Sequence, residues 1–276
     1  MAITFDKLRA DAKVFEELSK NPSWWVYFKN DSDLYIEIRK DNQVNVYYEG
    51  GSIARIHFCS KHKKLQVFTH HKYLDEPAPS KNNLYIECSD IMGNQVIEEI
   101  KRKVKGCYSQ KHAVKEVIAK EKWSEKYIQG SLIVRSSDIH LDSEFAYNDA
   151  TSRNRIDLIR CDEGVVTFVE LKRMSDGRML HRTDEPSEII KQMQRYKEFI
   201  NRYSNDLLHY YQTLYDIKKS LELPVPDKRP TRINQEPQLL IFDCWEKEHP
   251  SRDTHRTRLE DILKREHVIY SIRTSL

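Results

Sequence analysis

The chain has 276 residues, of which 39% are hydrophobic and 10% aromatic, enough to bury the core of one large or two modest domains. Its 46 basic and 43 acidic residues leave a formal net charge of +3, so no global charge marks a nucleic-acid partner, although a local basic surface is sufficient to hold phosphates. No run reaches the roughly 20 apolar residues of a membrane helix, the first residues carry charges where a leader peptide would be apolar, and with 7 glycines the chain has neither a GxGxxG fingerprint nor a P-loop. A cytoplasmic protein without a membrane partner and without nucleotide-driven chemistry is expected. The five cysteines, Cys59, Cys88, Cys107, Cys161 and Cys244, lack CxxC spacing and sit in or beside apolar stretches, the pattern of buried free thiols.

In chain order, residues 1–20 place Phe5, Leu8, Ala12, Phe15 and Leu18 at helical spacing. "WWVYFKN", "LYIEIRK", "QVNVYYEG", "SIARIHF" and "LQVFTH" then read as short strands of an antiparallel meander, divided by polar turns. Trp24 and Trp25 are expected as a core anchor, and His70 and His71 as surface residues on opposite faces of a strand. A proline-containing loop follows, "LYIECS" adds a strand, and the pattern turns helical from about residue 92, with a break near Lys105-Gly106. This divides the chain into a β-rich accessory domain, 1–91, of unstated ligand, and a second domain, 92–276. In the second, a strand pair around residues 153–173 precedes a long helical stretch from Pro186, and "QLLIFDCW" and "HVIYSIRT" close the chain as strands.

The strand pair "RNRIDLIRCDEGVVTFVELKR" carries the chemistry. A two-residue turn at Glu163-Gly164 would pair Asp162 with Val165 and set Asp157 opposite Glu170, with Lys172 on the face of Glu170. A three-residue loop, Asp162-Glu163-Gly164, would instead shift the register by one and need a bulge to restore it. Both faces are otherwise apolar, so two carboxylates and an ammonium meet at the edge of a core. Opposed carboxylates repel and are costly to desolvate, which calls for a proton, the lysine, or a divalent metal between them. Two oxygen donors suit Mg²⁺, which keeps several waters and takes one or two protein carboxylates.

Asp157 followed by Glu170-Leu171-Lys172 across a hairpin resembles the PD-(D/E)XK nuclease superfamily. Two further features fit the resemblance: Glu125, on a helix ahead of the strands, where the family has an additional acid, and Gln192 with Tyr196 in the QxxxY spacing of its RecB-like branch. The i, i+4 separation puts these two on one helix face. The resemblance covers roughly residues 115–245, departs from the motif in having Ile156 before the aspartate, and does not reach the N-terminal unit. Glu144 competes with Glu125 for the place of the additional acid.

The resemblance implies a three-layer α/β/α restriction-endonuclease-like core with a mixed sheet. Mg²⁺, with Mn²⁺ as a substitute, would be held by Glu125, Asp157, Glu170 and the Leu171 carbonyl. Lys172 would orient water, stabilise charge or, deprotonated, act as a base. The implied activity is nuclease cleavage, of DNA before RNA, as in restriction or antiphage systems, with substrate phosphates passing Arg173, Arg178 and Arg182. A partner protein or a homodimer would use the N-terminal domain. The rival reading is a non-catalytic nucleic-acid-binding or assembly module that keeps the fold.

Overall fold

The computed structural model describes residues 7–89, 91–108, 124–148, 153–179, 187–244 and 251–276. Leu8, Phe15 and Leu18 are buried through helix α1 (Lys13–Leu18) and the turn before it, as their spacing predicts; Ala12 is partly buried, Val14 joins the core without having been expected, and Phe5 lies outside the described residues. The next segment departs from the expected strand. Ser23–Asn30 is helix α2, because Pro22 presets the dihedral at its entry and Trp25 and Phe28, three apart, are the residues that bury. Three-residue spacing outweighs the strand preference of the aromatics, and Trp25 is the core anchor.

The antiparallel meander is present. Strands β1 (Leu34–Ile38), β2 (Val44–Tyr48), β3 (Gly51–Cys59), β4 (Lys64–His70) and β5 (Tyr85–Glu87) form one sheet in sequence order. His70 ends β4 and His71 opens a 3-10 turn, so the two rings stack with centroids 4.8 Å apart instead of pointing to opposite faces. Helix α3 (Asn94–Tyr108) continues through Gly106, where a break was expected. It buries Ile97, Ile100 and Val104, and ties itself to the α2 region through Lys101–Asp31 at 2.7 Å. A boundary at residue 91 therefore separates α3 from the sheet on which it packs.

Helix α4 (Glu125–Arg135) is capped by Ser124, whose hydroxyl accepts from the Tyr127 N–H at 3.1 Å. Strands β6 (His140–Asn148), β7 (Arg153–Asp162) and β8 (Val165–Arg173) follow as an antiparallel series. The long helical stretch divides at Tyr203 into α5 (Glu188–Arg202) and α6 (Ser204–Ser220); Pro186 is not among the described residues. After β9 (Arg232–Ile233) and β10 (Gln238–Phe242), helix α7 (Arg252–Arg265) leads to β11 (Ile269–Arg273). The main strand order is β11-β10-β8-β7-β6, with β10 parallel to both neighbours and β9 pairing with β8. The fold is thus mixed α/β, with two sheets and seven α-helices among the described residues.

Helix α4 covers one face of the second sheet, where Ile128, Leu132 and Ile133 meet Leu158, Val169, Leu171, Leu240 and Phe242. The other face packs on α5 and α6: Phe168 meets Tyr211 edge-on, within a core that also holds Met193, Phe199 and Leu214. Tyr210, Tyr211 and Tyr215 lie on the buried side of α6. Cys59, Cys88, Cys161 and Cys244 are free thiols, Cys88 and Cys161 buried and Cys59 and Cys244 partly so. No helix among the described residues is long and apolar enough to cross a membrane.

The two sheets share one apolar core and a buried polar seam. Glu37 of β1 is fully buried and accepts from Lys218 at 3.0 Å, with the His140 ring 2.7 Å from its other oxygen. Burial alone would raise the Glu37 pKa, but Lys218 and His140 hold it well below the usual carboxylate range. Arg39 donates to the Ser143 carbonyl, to Asp142 at 3.4 Å and to the Tyr47 hydroxyl at 2.7 Å. Lys218→Met would strand a buried carboxylate, so this variant is expected to lose about 3–5 kcal/mol in urea denaturation, the scale for breaking a buried pair from one side. An unchanged midpoint would show that the seam contributes no stability.

Candidate active site

Glu163 and Gly164 both have positive φ, 48° and 78°, and form the tight turn that Asp-Glu-Gly announces. Asp162 pairs with Val165 as predicted, and the ladder runs in register to Leu158–Val169. It ends one step before Asp157 and Glu170. The cause lies on both sides of Asp157. Its carboxylate accepts the Leu171 N–H at 2.9 Å, which replaces a ladder bond. On β6, Glu144 has a φ of 51° and falls between the paired Ser143–Leu158 and Phe145–Ile156. The strands separate there, and a cavity of about 640 Å³ opens over them.

Lys172 occupies its floor. Its Nζ lies 2.5 Å from Glu170 Oε1, 2.8 Å from the Leu171 carbonyl, 3.7 Å from Asp157 and 3.8 Å from Glu125. Lys172 and Glu170 are each 2% exposed, whereas Glu125 keeps about a third of its side chain in solvent. From α5, Gln192 donates to Glu170 Oε1 at 2.6 Å and to the Tyr196 hydroxyl at 2.7 Å, and that hydroxyl donates to the Arg155 carbonyl. From α4, Gln129 donates to the Asp157 carbonyl at 2.6 Å. The second oxygen of Glu170, Oε2, is buried with no hydrogen-bond partner.

The electrostatics follow from burial and crowding. Burial, then the neighbouring Asp157, pushes the Glu170 carboxyl up to about 7. Burial also raises Asp157 and Glu125, against the pull of Lys172. Burial works against the Lys172 ammonium, but the three carboxylates more than offset it and raise its pKa. The sequence left open a lysine that gives up its proton; with these neighbours the ammonium is favoured. Burial would raise Glu144 too, yet Lys126 and Arg155, the latter at 2.7 Å, hold it below its ordinary value. Glu125, facing Lys172, is therefore the better placed of the two competing acids.

Glu125, Asp157, Glu170, Leu171, Lys172, Gln192, Tyr196 and Arg178 all line this one cavity. Arg178 is held by Asp176 at 2.5 Å. Arg173 is not brought to the cavity: alternation along β8 turns it to the opposite sheet face from Lys172, where it bonds Cys244. Arg182 lies outside the described residues. Lys126, Arg155, Lys191 and Arg195 also line the cavity and were not anticipated. A signal for two of them was available, because Lys191 and Arg195 each precede a QxxxY residue by one position and so flank it on the same helix.

Among the described residues, no three His, Cys, Asp or Glu side chains converge closely enough to hold a metal by themselves. What converges is two carboxylates and a backbone carbonyl around the Lys172 ammonium, with a third carboxylate set back. This donor set is all hard oxygen, and the unpartnered Glu170 Oε2 adds a buried acceptor, so the residues present fit a small divalent cation with retained waters. No protein-family model, curated protein or solved structure matches the chain.

Proposed function

We propose that the protein is a metal-dependent phosphodiesterase acting on nucleic acid, with DNA the expected substrate, and that its second sheet is a PD-(D/E)XK core of restriction-endonuclease-like type. The observation that carries this reading is the Asp157–Glu170–Lys172 cluster, open to a cavity lined by cations and carboxylates together and braced by Gln192 and Tyr196. Asp157, Glu170 and the Leu171 carbonyl would hold Mg²⁺ or Mn²⁺, with Glu125 facing it across the cavity. When bound, such an ion polarises a phosphoryl oxygen and lowers the pKa of a coordinated water.

The remaining work falls to the side chains. Gln192 fixes the rotamer of Glu170 and hands a hydrogen bond on to Tyr196, so the carboxylate is held before substrate arrives. Lys172 carries a fixed positive charge beside the place where a scissile phosphate would develop negative charge. Gln129 holds the backbone of Asp157 against α4. Lys126, Arg155, Lys191 and Arg195 would take the phosphates at the rim.

One observation favours the rival, a non-catalytic binding module: Lys172 already satisfies the carboxylates as a self-contained ion cluster. Incubation with plasmid and single-stranded DNA and with RNA, in Mg²⁺ and in EDTA, separates the two readings. Metal-dependent cleavage supports the first, and retained binding without cleavage supports the second.

The rim makes its own prediction. Lys191 and Arg195 are exposed on α5, and each cation that neutralises a duplex phosphate contributes about 0.9 to the slope of log affinity against log salt. The double variant Lys191→Ala/Arg195→Ala is therefore expected to flatten the slope by about 1.8 and to weaken binding alike on unrelated sequences. A slope unchanged in fluorescence-anisotropy titrations would remove α5 from the phosphate path.

A further inference from the structure

A second cavity, about 250 Å³ in volume, lies at the seam where the N-terminal sheet meets β6 and α6. Glu144 lines both this cavity and the cleft over Lys172, so the two lie next to one another. Asn45 and Arg55, directly opposite one another on β2 and β3, form part of its wall. Asn45 Oδ1 and Arg55 Nε are both buried and neither has a hydrogen-bond partner, which leaves one acceptor and one donor unpaired among the residues of the cavity wall. Unmade bonds at such depth are costly, so an unpaired donor and acceptor in a cavity wall suit a ligand that brings the complement of both.

The surroundings narrow the class. The Arg55 guanidinium lies 3.7 Å from the Tyr85 ring centroid, which fixes its plane. Lys40 stands exposed at the cavity. The three acids in the wall are already engaged: Asp142 with Arg39 at 3.4 Å, Glu144 with Arg155 at 2.7 Å, and Asp41 with the Gln43 amide at 3.0 Å. Phe145 and Tyr210 supply buried aromatic lining. Unpaired donor and acceptor atoms, aromatic walls and a cation at the edge match a nucleobase with its phosphate. The volume, below the roughly 300–1,000 Å³ of sites for drug-sized ligands, suits one such unit.

We infer that the seam cavity is a nucleotide-binding site in which Asn45 and Arg55 read a base edge and Lys40 meets the phosphate. The nucleotide could come from a strand bound in the neighbouring cleft or from free solution. The first source rests on the nuclease reading of the cleft; the second does not.

Binding to the full chain in EDTA tests the inference without cleavage. The probes are the four 5′-deoxynucleoside monophosphates and a fluorescein-labelled 12-mer single-stranded DNA, titrated into wild type, Asn45→Ala and Arg55→Met. Arg55→Met keeps an apolar stem over Tyr85, and thermal melting of each variant reports folding. Monophosphate binding that falls at least about tenfold in both variants supports the site with free nucleotide as its ligand. Monophosphates that do not bind, together with 12-mer binding that falls about tenfold in both variants, support a nucleotide of the substrate strand. If neither variant changes the affinity of either probe, the inference is overturned. Lys40→Ala removes the edge cation and its 2.7 Å bond to the Ala146 carbonyl, with thermal melting again reporting folding: its expected effect is a weaker loss on the same probe, and none on either probe also counts against the site. Wild-type cleavage in Mg²⁺ is scored separately, so a protein that binds nucleotide here without cleaving refutes the nuclease reading alone.

Discussion

Lys172→Ala is expected to fold, to bind nucleic acid with an unchanged salt slope, and to lose metal-dependent cleavage by about two or more orders of magnitude. The size follows from what Lys172 is in this site: a 2% exposed ammonium on the cavity floor, kept charged by three carboxylates. A fixed charge in a low-dielectric cleft stabilises developing phosphoryl charge without reorganisation, which a rim lysine in water does not do. Folding should survive, because the partner left behind, Glu170, already sits near a pKa of 7 through burial and Asp157 and so takes up a proton readily. A well-folded variant that cleaves at the wild-type rate would remove Lys172 from the chemistry.

The second large effect concerns the acid across the hairpin. In Asp157→Asn the side-chain oxygen can still accept the Leu171 N–H, now made at 2.9 Å, while the charge that crowds Glu170 disappears. Without Mg²⁺ the variant should therefore be as stable as wild type or more so. Wild type should gain about 2.7 kcal/mol when Mg²⁺ is present at a hundred times its dissociation constant, and the variant should gain nothing. If Asp157 and Lys172 were only a structural pair, the order would reverse, with Asp157→Asn losing stability in EDTA and Mg²⁺ doing nothing to either protein. Melting curves in EDTA and in Mg²⁺ separate these outcomes.

Much of this site was legible in the sequence because its determinants are local. The Glu163-Gly164 turn sets the register of β7 on β8, and period-two alternation then places Glu170 and Lys172 together. Gln192 and Tyr196 meet through the i, i+4 geometry of α5. Register arithmetic did not reveal that the ladder stops before Asp157, since that depends on a positive φ at Glu144 in a third strand. Alternation would also have excluded Arg173 from the cavity had it been applied one residue past Lys172.

The seam was invisible for a different reason. Glu37 is 103 residues from His140 and 181 from Lys218, and no local pattern announces contacts of that range. The same holds for α3, whose apolar face has helical spacing but carries no mark of which sheet it covers. Helix α7 buries only Leu259 and Leu263, too thin a stripe to stand out among its charges.

On the proposed function, the Asp157–Glu170–Lys172 cluster hydrolyses phosphodiester bonds with a divalent metal. The most direct test is the conversion of supercoiled plasmid to nicked or linear DNA by wild type and by Lys172→Ala, each in Mg²⁺ and in EDTA. Conversion is expected by wild type in Mg²⁺ alone, with EDTA and the substitution each abolishing it. Conversion that persists in EDTA or in folded Lys172→Ala, or a wild type inert in Mg²⁺ on plasmid, single-stranded DNA and RNA alike, would contradict that function.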